Sequence, residues 1–279
     1  MAEILFSKIT CKFNFMNSKI SVYGSSGFVG GKFAEMYNDV IKIPRDQRKP
    51  DSENILYFIS TTHNYHVHDD ITLDVKTNLE VLCEVLNHCK SKNITFNFIS
   101  SWFVYGKECD LPVKEDSICN PTGFYSITKK CAEDLIISFC KTYNVSYRII
   151  RLCNVLGKGD RNVSEKKNVI TWMINQLKND IDVDLYDMGT PIRDIMHVTD
   201  VCRAIRIIID KGNLNEIYNV GSGQPHTIRA IIETAKKKLN SKSKINYISP
   251  SDFNKIIQNK DFWMDVQKLS SLGFSPQHT

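Results

Sequence analysis

A serine, a tyrosine and a lysine between Phe98 and Lys129 are the residues of this sequence best suited to acid–base chemistry. Ser101 ends an apolar β-type run, and Tyr125 and Lys129 follow in the segment YSITK. On a helix that begins near Phe124, side chains four residues apart leave the same face about one turn from each other. A cation beside a phenol favours the phenolate, and a phenol with a pKa of about 10 needs such help near neutral pH. The three residues predict a proton-transfer site for an alcohol and ketone pair, with Ser101 bonding the same oxygen.

The Tyr-x-x-x-Lys pair alone is a weak signal, so the prediction depends on the elements that position it. A β-branched and aromatic run, Ile20 to Tyr23, stops at a glycine-rich turn, and a helical stretch then runs to about Tyr37. This order places free backbone N–H groups and the positive end of a helix dipole at one point, where a pyrophosphate fits. The spacing is Gly-x-x-Gly-x-x-Gly. The predicted cofactor contacts in this turn are Gly24, Ser26, Gly27, Phe28, Val29 and Gly30.

A second strand, Val40 to Ile43, ends at Pro44-Arg45-Asp46. An acidic side chain at this strand end usually binds the ribose 2′-hydroxyl, whereas an arginine suits a 2′-phosphate. Pro44 holds the usual acidic position and Arg45 follows it, although Asp46 is adjacent. The strand end therefore favours NADP slightly over NAD.

Only about ten residues separate Arg45 from the next strand, Ile55 to Ser60. This is too short for a helix and a further strand, so we expect the usual third strand to be missing. Ser60 and Thr61 stand at the carboxyl end of the strand, where ligands of parallel sheets bind, and are predicted to contact the cofactor. The histidines and aspartates that follow fit no closed tetrahedral spacing, so a polar loop and no metal site is expected.

Apolar residues recur at helical spacing from Leu73 to Cys89. Asn78 opens the main part of this helix, either as a buried amide that ties it to neighbouring strands or as a solvated polar residue; it is also predicted as a cofactor contact. Strands at Ile94 to Ile99 and Tyr147 to Leu152 flank the helix that carries Tyr125. Alternating strands and helices indicate an α/β fold with a parallel sheet and helices on both faces.

The composition of the 279 residues is that of a globular protein, with a formal net charge of +5. The charge is mild and spread along the chain, so nucleic acid is not expected as a partner. No apolar run approaches the ~20 residues of a membrane span, and the first residues lack a secretory signal, so a cytoplasmic protein without a membrane partner is expected. Nine cysteines without Cys-x-x-Cys spacing are expected to be reduced core residues. Because Met16 is a possible alternative start, residues 1–16 are expected to be an extension outside the fold.

The motifs GSSGFVG, SSWFVYG, YSITK, RLCNVLG, RDIMHVTD and YNVGSG, in this order, resemble those of the extended short-chain dehydrogenase/reductase family of nucleotide-sugar epimerases, dehydratases and reductases. The resemblance covers about Lys19 to Pro276. It implies a Rossmann-like doubly wound sheet over residues 17–157, abbreviated after the second strand. Residues 158–279 would form mainly a smaller substrate-binding lobe, with some segments returning to the sheet.

The same resemblance implies roles for individual residues. Ser101, Tyr125 and Lys129 would be catalytic, with Ser101 also contacting the substrate and Tyr125 and Lys129 also contacting the nicotinamide cofactor. Asn154 and Arg193 would face the diphosphate of a nucleotide-diphosphate sugar. Helices around residues 78–90 and 125–140 resemble those that pair in the family's homodimers.

Two departures narrow the implied activity. Dehydratases of the 4,6 type carry an Asp-Glu pair directly after the serine position, where this chain has Trp102-Phe103. Bifunctional enzymes of the GDP-fucose synthase kind place a cysteine where Phe103 stands, two residues before Tyr105. The sequence therefore predicts hydride transfer at C4, as a C4 epimerase or a 4-keto reductase, rather than a dehydratase. A non-catalytic dinucleotide sensor or scaffold on the same fold is the alternative, and the sequence leaves the nucleotide and the sugar open.

Overall fold

The computed structural model describes residues 19–91, 93–161, 163–257 and 260–278. The predicted extension, residues 1–16, lies outside these described residues. The strands in chain order are β1 (Ile20–Tyr23), β2 (Val40–Lys42), β3 (Asn54–Tyr57), β4 (Thr95–Ser101), β5 (Ser146–Leu152), β6 (Asn154–Leu156), β7 (Val183–Tyr186), β8 (Ile192–Arg193), β9 (Ile195–His197), β10 (Glu216–Val220), β11 (His226–Thr227) and β12 (Ile245–Ile248).

α-Helices follow β1, β3, β4, β6, β9, β11 and β12, so the predicted alternation holds for part of the chain. They are α1 (Phe28–Met36), α2 (Leu73–Val75), α3 (Val81–Leu86), α4 (Phe124–Tyr143), α5 (Val169–Lys178), α6 (Val198–Lys211), α7 (Ile228–Leu239), α8 (Asp252–Ile257) and α9 (Gln267–Ser271). A π-helical turn, Lys76–Glu80, joins α2 to α3, so the predicted helix from Leu73 is nearly continuous but ends at Leu86, before Cys89.

A six-stranded parallel sheet forms the centre of the molecule, in the order β10-β5-β4-β3-β1-β2. β3 pairs with β1 on one side and with β4 on the other, with Val22 opposite Leu56 and Tyr57 opposite Phe98. β2 pairs with β1 and lies at the edge, so the chain passes from β2 directly to the far side of β1. The predicted absence of the usual third strand is therefore confirmed. Residues 43–53 make this passage. A hydrogen bond from the Tyr23 hydroxyl to the Arg48 carbonyl, at 2.7 Å, holds this segment against β1.

Helices cover both faces of the sheet because its central strands are apolar on both sides. On one face, Phe33 of α1 and Val201 and Ile205 of α6 pack against Val22 and Leu56. On the other face, the core is formed by Tyr57 with residues of α3 and α4, which include Leu82 and Ile136. This arrangement is the predicted doubly wound α/β fold, and it places the carboxyl ends of β1, β3, β4 and β5 along one edge.

The second half of the chain contributes to the sheet and also builds a smaller unit. β10 returns to pair with β5, whereas three two-stranded sheets join β7 to β12, β8 to β11 and β6 to β9. Helices α5 and α7 pack with β7 around a separate small core of Met173, Leu177, Val183, Leu185 and Ile232. We call α5, β7, β8, β11, α7, β12 and α8 the C-terminal lobe. Among the helices that the structure describes, none is both long and apolar enough to cross a membrane.

Candidate active site

The turn after β1 requires glycine at two positions. Gly24 has a φ of +77°, and its carbonyl accepts a hydrogen bond from the Gly27 N–H at 3.0 Å. A Cβ on Gly30 would lie 2.5 Å from the Gly24 carbonyl oxygen, so a side chain there would push the turn open. The first amides of α1 have no intrahelical acceptor, and the first turn of the helix carries no acidic side chain. The turn therefore presents donors and positive potential to an anion.

A cavity of about 490 Å³ opens over this turn and the carboxyl ends of the central strands. Most of the residues predicted from the sequence line it: Gly24, Ser26, Gly27, Phe28, Val29, Gly30, Ser60, Thr61, Ser101, Tyr125, Lys129 and Asn154. Arg45 and Asn78 are not among the lining residues. Arg193 lines an adjoining cavity of about 90 Å³, which shares Trp102, Phe103 and Asn154 with the first.

Tyr125 and Ser101 meet because α4 begins at Phe124, as predicted, beside the end of β4. The Tyr125 side chain is 8% exposed, and this burial raises its pKa. A hydrogen bond with the Ser101 hydroxyl lowers the pKa by a smaller amount, and the charge of the nearby Asp74 raises it. The phenol is therefore protonated at neutral pH in this structure, and the site holds a proton donor.

Lys129 is buried one helical turn further along α4. Its Nζ donates to the Ile99 carbonyl at 2.6 Å and lies 4.0 Å from the centre of the Phe98 ring. Burial lowers the pKa of Lys129 to about 7, so near pH 7 a large fraction of the protein molecules carries this lysine in its neutral form. The expectation that this cation brings the pKa of Tyr125 below its ordinary value is wrong for the structure, because burial raises the pKa of the phenol and lowers that of the lysine.

Asn78 is a positioning residue behind the cavity. It is 2% exposed, and its amide oxygen accepts from the Thr61 N–H at 2.8 Å. Its amide nitrogen donates to the hydroxyls of Thr61 at 2.8 Å and Thr128 at 2.9 Å, while the Thr61 hydroxyl donates to Asp74. Of the two alternatives that the sequence left open, the buried amide is confirmed. Its polar atoms bond Thr61 and Thr128, and the cofactor contact of Asn78 stays a prediction.

Asn154 and Arg193 lie further from the glycine turn. The Asn154 amide donates to the Asp194 carbonyl at 3.1 Å, and Arg193 donates to the carbonyls of Ile192, at 2.8 Å, and Lys260. Burial lowers the pKa of Arg193 to about 10, which still leaves it cationic at neutral pH. Arg193 also lines a third cavity of about 340 Å³ beside the C-terminal lobe. The second cavity shares lining residues with the first and also with the third, so the three cavities adjoin one another in a row. We call this row, which leads from the glycine turn past Arg193, the path.

Two features of the site were missed by the sequence analysis. Trp102 and Phe103 line the first two cavities. The sequence analysis had used them only to distinguish this chain from other enzymes of the family. Lys167 lines the first cavity and pairs with Asp160 at 2.8 Å, in a stretch that had no pattern beyond its polarity. Ser60, which the sequence predicted as a cofactor contact, lines the first cavity; its hydroxyl is buried beside Tyr125 and has no partner in hydrogen-bond geometry among the residues that the structure describes.

The histidines after β3 form contacts with aromatic rings. His63 stacks on His66 with ring centres 3.9 Å apart, and His68 lies edge-on against Phe253 at 4.7 Å. Within the described ranges, no group of three or more histidine, cysteine, aspartate or glutamate side chains is placed to hold a metal ion.

A Rossmann-like sheet, a glycine turn at its first strand and a buried Ser–Tyr–Lys set at the adjoining strand ends define an extended short-chain dehydrogenase/reductase. The model of the NAD dependent epimerase/dehydratase family matches residues 51–221, and the chain belongs to this family.

Individual relatives agree with this assignment. A dTDP-4-dehydro-6-deoxyglucose reductase from Escherichia coli is 30% identical over 200 residues, which are 68% of this chain and 61% of the relative's own length. The structure of UDP-glucose 4-epimerase with UDP-glucose from Thermotoga maritima superposes with a TM-score of 0.82 at 21% identity, covering 94% of each chain. The structure of RMD from Pseudomonas aeruginosa complexed with NADPH gives a TM-score of 0.80 at 22% identity, also covering 94% of each chain. At these identities the two structures establish the fold.

Proposed function

We propose that this protein transfers hydride at C4 of a nucleotide-activated sugar with NAD(P), and that its net reaction is the reduction of a 4-keto sugar. The observation that carries the proposal is the convergence of Ser101, Tyr125 and Lys129 at one side of a cavity that starts at the glycine turn. A protonated phenol is the form of Tyr125 that ketone reduction needs. The similarity to the reductase from Escherichia coli also supports reduction as the net reaction.

The residues present fit a dinucleotide. The free amides of α1 and the close packing of Gly30 on Gly24 suit a pyrophosphate, and the buried Ser60 hydroxyl offers a further polar contact. When bound, NAD(P) supplies the hydride. Arg45 supports NADP over NAD, as an exposed cation at the end of β2, although it lies outside the cavity lining.

The chain's own residues handle the proton and the sugar oxygen. Tyr125 donates its proton to the oxygen at C4, and Ser101 holds that oxygen with a second hydrogen bond. Lys129 is fixed by the Ile99 carbonyl at the floor of the site, where its ammonium group can stabilise the phenolate that Tyr125 leaves behind.

The substrate side of the proposal rests on Arg193 and Asn154. A guanidinium and an amide donor suit the oxygens of a diphosphate, and both residues line the path that leads from Tyr125 towards the C-terminal lobe. We therefore assign the nucleotide diphosphate to this path and substrate binding mainly to residues 158–279.

We also propose a homodimer. Val75, Ile127 and Leu135 expose apolar side chains on the helices α2 and α4, and Cys83 of α3 is exposed on the same layer. Pairing this layer with a second copy would bury these groups. Light scattering at micromolar concentration should give twice the monomer mass, and Ile127→Glu should shift it towards the monomer. A wild-type monomer would contradict the proposal.

A substrate panel tests the reaction. UDP-, dTDP-, GDP- and CDP-linked 4-keto sugars, incubated with NADPH or NADH, should include at least one that oxidises the nicotinamide. Interconversion of C4 epimers without net change in nicotinamide absorbance would instead indicate an epimerase. Tight cofactor binding with no turnover on any sugar would favour the non-catalytic sensor.

A further inference from the structure

The first turn of α4 is capped by a side chain from a distant part of the chain. The helix begins after Gly123, which has no side chain to accept a hydrogen bond from the free amides of that turn. Asn64 takes this role, because its side-chain oxygen accepts from the Ser126 N–H at 3.3 Å and from the Ser126 hydroxyl at 3.0 Å. Ser126 is the third residue of the helix, and its N–H is one of the two that a capping side chain ordinarily bonds.

This contact requires glycine at position 123. The backbone there is extended, with a φ of −104° and a ψ of 155°, so the conformation itself would suit any residue. A Cβ on Gly123, however, would overlap the side-chain oxygen and the Cγ of Asn64. Asn64 is 1% exposed, so its side chain has little room to move away. The cap therefore has two parts, a glycine at the helix position and an acceptor that lies 62 residues before Ser126.

The side-chain amide of Asn64 is bonded through its oxygen. Its nitrogen is buried and has no hydrogen-bond partner within the ranges that the structure describes. A buried donor without a partner lowers stability, so the amide nitrogen does not explain why an asparagine stands here. The acceptor oxygen is the part of the side chain that the fold uses, and Asn64→Asp would retain it without the unpartnered donor.

The cap holds the residue that carries the proposed acid. Tyr125 lies directly before Ser126, and its side chain reaches β4, where its hydroxyl meets Ser101 and its ring lies edge-on to Phe103 at 6.0 Å. These contacts form only if the first turn of α4 keeps its position against the end of β4. The Thr128 hydroxyl holds the same turn at its carbonyls, because it donates to the Tyr125 carbonyl at 3.0 Å.

We propose that Asn64 is a positioning residue, which holds Tyr125 where it can transfer a proton to the substrate oxygen. Asn64 is not among the residues that line the three cavities, so it acts through α4 and not by contact with a ligand. The inference rests on the proposed function, because it gives Asn64 a part in the same reaction. Loss of the cap should therefore lower kcat and leave KM for the nucleotide sugar nearly unchanged.

Two single variants remove the cap from its two sides. Asn64→Ala deletes the acceptor, and Gly123→Ala displaces Asn64 with its added Cβ. A misplacement of about 1 Å can cost about 100-fold in rate, so kcat of each variant should fall by on the order of tenfold to 100-fold. Asn64→Asp is the conservative control and should keep kcat near the wild-type value. A wild-type kcat in Asn64→Ala would overturn the inference.

Two double variants separate the capping oxygen from the rest of the Asn64 side chain. Asn64→Ala/Gly123→Ser vacates the space and supplies a hydroxyl that can accept from the Ser126 N–H, as serine does at the start of many helices. It should recover most of the lost kcat. Asn64→Ala/Gly123→Ala is the matched control, which differs by that one oxygen and should recover none. Equal kcat in the two double variants, with both folded in thermal melts, would contradict a positioning role.

The two proposals fail differently. Absence of turnover by the wild-type protein on every sugar would refute the proposed function. Amide hydrogen exchange, measured by mass spectrometry on the peptides that contain Tyr125, would then still test the cap. Faster exchange in Asn64→Ala that the added Gly123→Ser restores would support the positioning of Tyr125 by Asn64. Exchange in Asn64→Ala equal to that of the wild type would overturn it.

Discussion

The cofactor end and the substrate end of the site are built in different ways. The cofactor end comes from one strand, turn and helix that are contiguous in sequence, together with buried groups on β4 and α4. The substrate end brings Arg193 of β8 next to Trp102 and Lys260, which are far apart in the chain. The groups proposed to act on the reacting atoms are thus held by the central sheet, whereas the groups proposed to bind the substrate are held by long-range contacts around the C-terminal lobe.

Tyr125→Phe tests the groups held by the central sheet and should have the largest effect of the variants. It removes the proton donor but keeps the ring that packs against Phe103. General acid–base catalysis typically contributes 10²–10⁴-fold, so kcat should fall by about that factor while cofactor binding is preserved. Steady-state kinetics and cofactor titration measure the two quantities. Near-normal turnover in this variant would show that the site works without a tyrosine acid.

Arg193→Gln tests the substrate end of the site. Loss of a charged hydrogen-bond donor to a diphosphate costs about 1.5–3 kcal/mol, so KM for the nucleotide sugar should rise about tenfold to 150-fold. Because Arg193 stands outside the reacting atoms, kcat should change far less than KM. Arg193→Lys is the matched control, since it keeps the charge and should recover part of the binding. A loss confined to kcat would show that the two ends are not separate in function.

Lys129→Met tests the burial of the lysine through the pH dependence of stability. The folded pKa of about 7 lies below the ordinary value of about 10.4, so between these values the unfolded chain binds more protons than the folded one. The free energy of unfolding of the wild type should therefore rise with pH relative to the variant, by an amount on the order of 1 kcal/mol per pH unit from pH 7.5 to 9.5. Lys260, with a pKa lowered to about 8, titrates in both proteins and cancels in the difference. Urea unfolding at several pH values measures this, and parallel curves would mean that Lys129 is solvated.

Arg45→Ala should give the smallest effect. Because Arg45 is exposed, its attraction to a 2′-phosphate is screened, and a loss of about 0.2–1 kcal/mol in NADPH binding is expected. Binding of NADH should stay the same. Titration of both cofactors measures the change, and equal losses for the two would remove the support for NADP.

The contrast between the two ends also explains what the sequence could and could not predict. The glycine turn, the start of α4 at Phe124 and the missing third strand follow from local patterns, and the structure contains each of them. The raised pKa of Tyr125 and the bond from Lys129 to the Ile99 carbonyl could not be predicted, because they depend on how deeply α4 is buried against β4.

The pairings of the C-terminal lobe were equally hidden from the sequence. β7 pairs with β12, about 60 residues later, and each strand has only four residues. Strands this short carry little periodicity, and their partners are chosen by tertiary packing. The path past Arg193 was therefore visible only once these segments were placed together.

The loss of the third strand has a consequence for association between chains. Among the residues that the structure describes, β2 is left as an open edge of the sheet, and an open edge presents unpaired N–H and C=O groups on which another chain can add a strand. β2 has only three residues and ends in the exposed Lys42. An approaching chain would therefore find few unpaired backbone groups to bond and a positive charge beside them. The shortened sheet is thereby protected from edge-to-edge aggregation, a protection that an insertion lengthening β2 with apolar residues would remove.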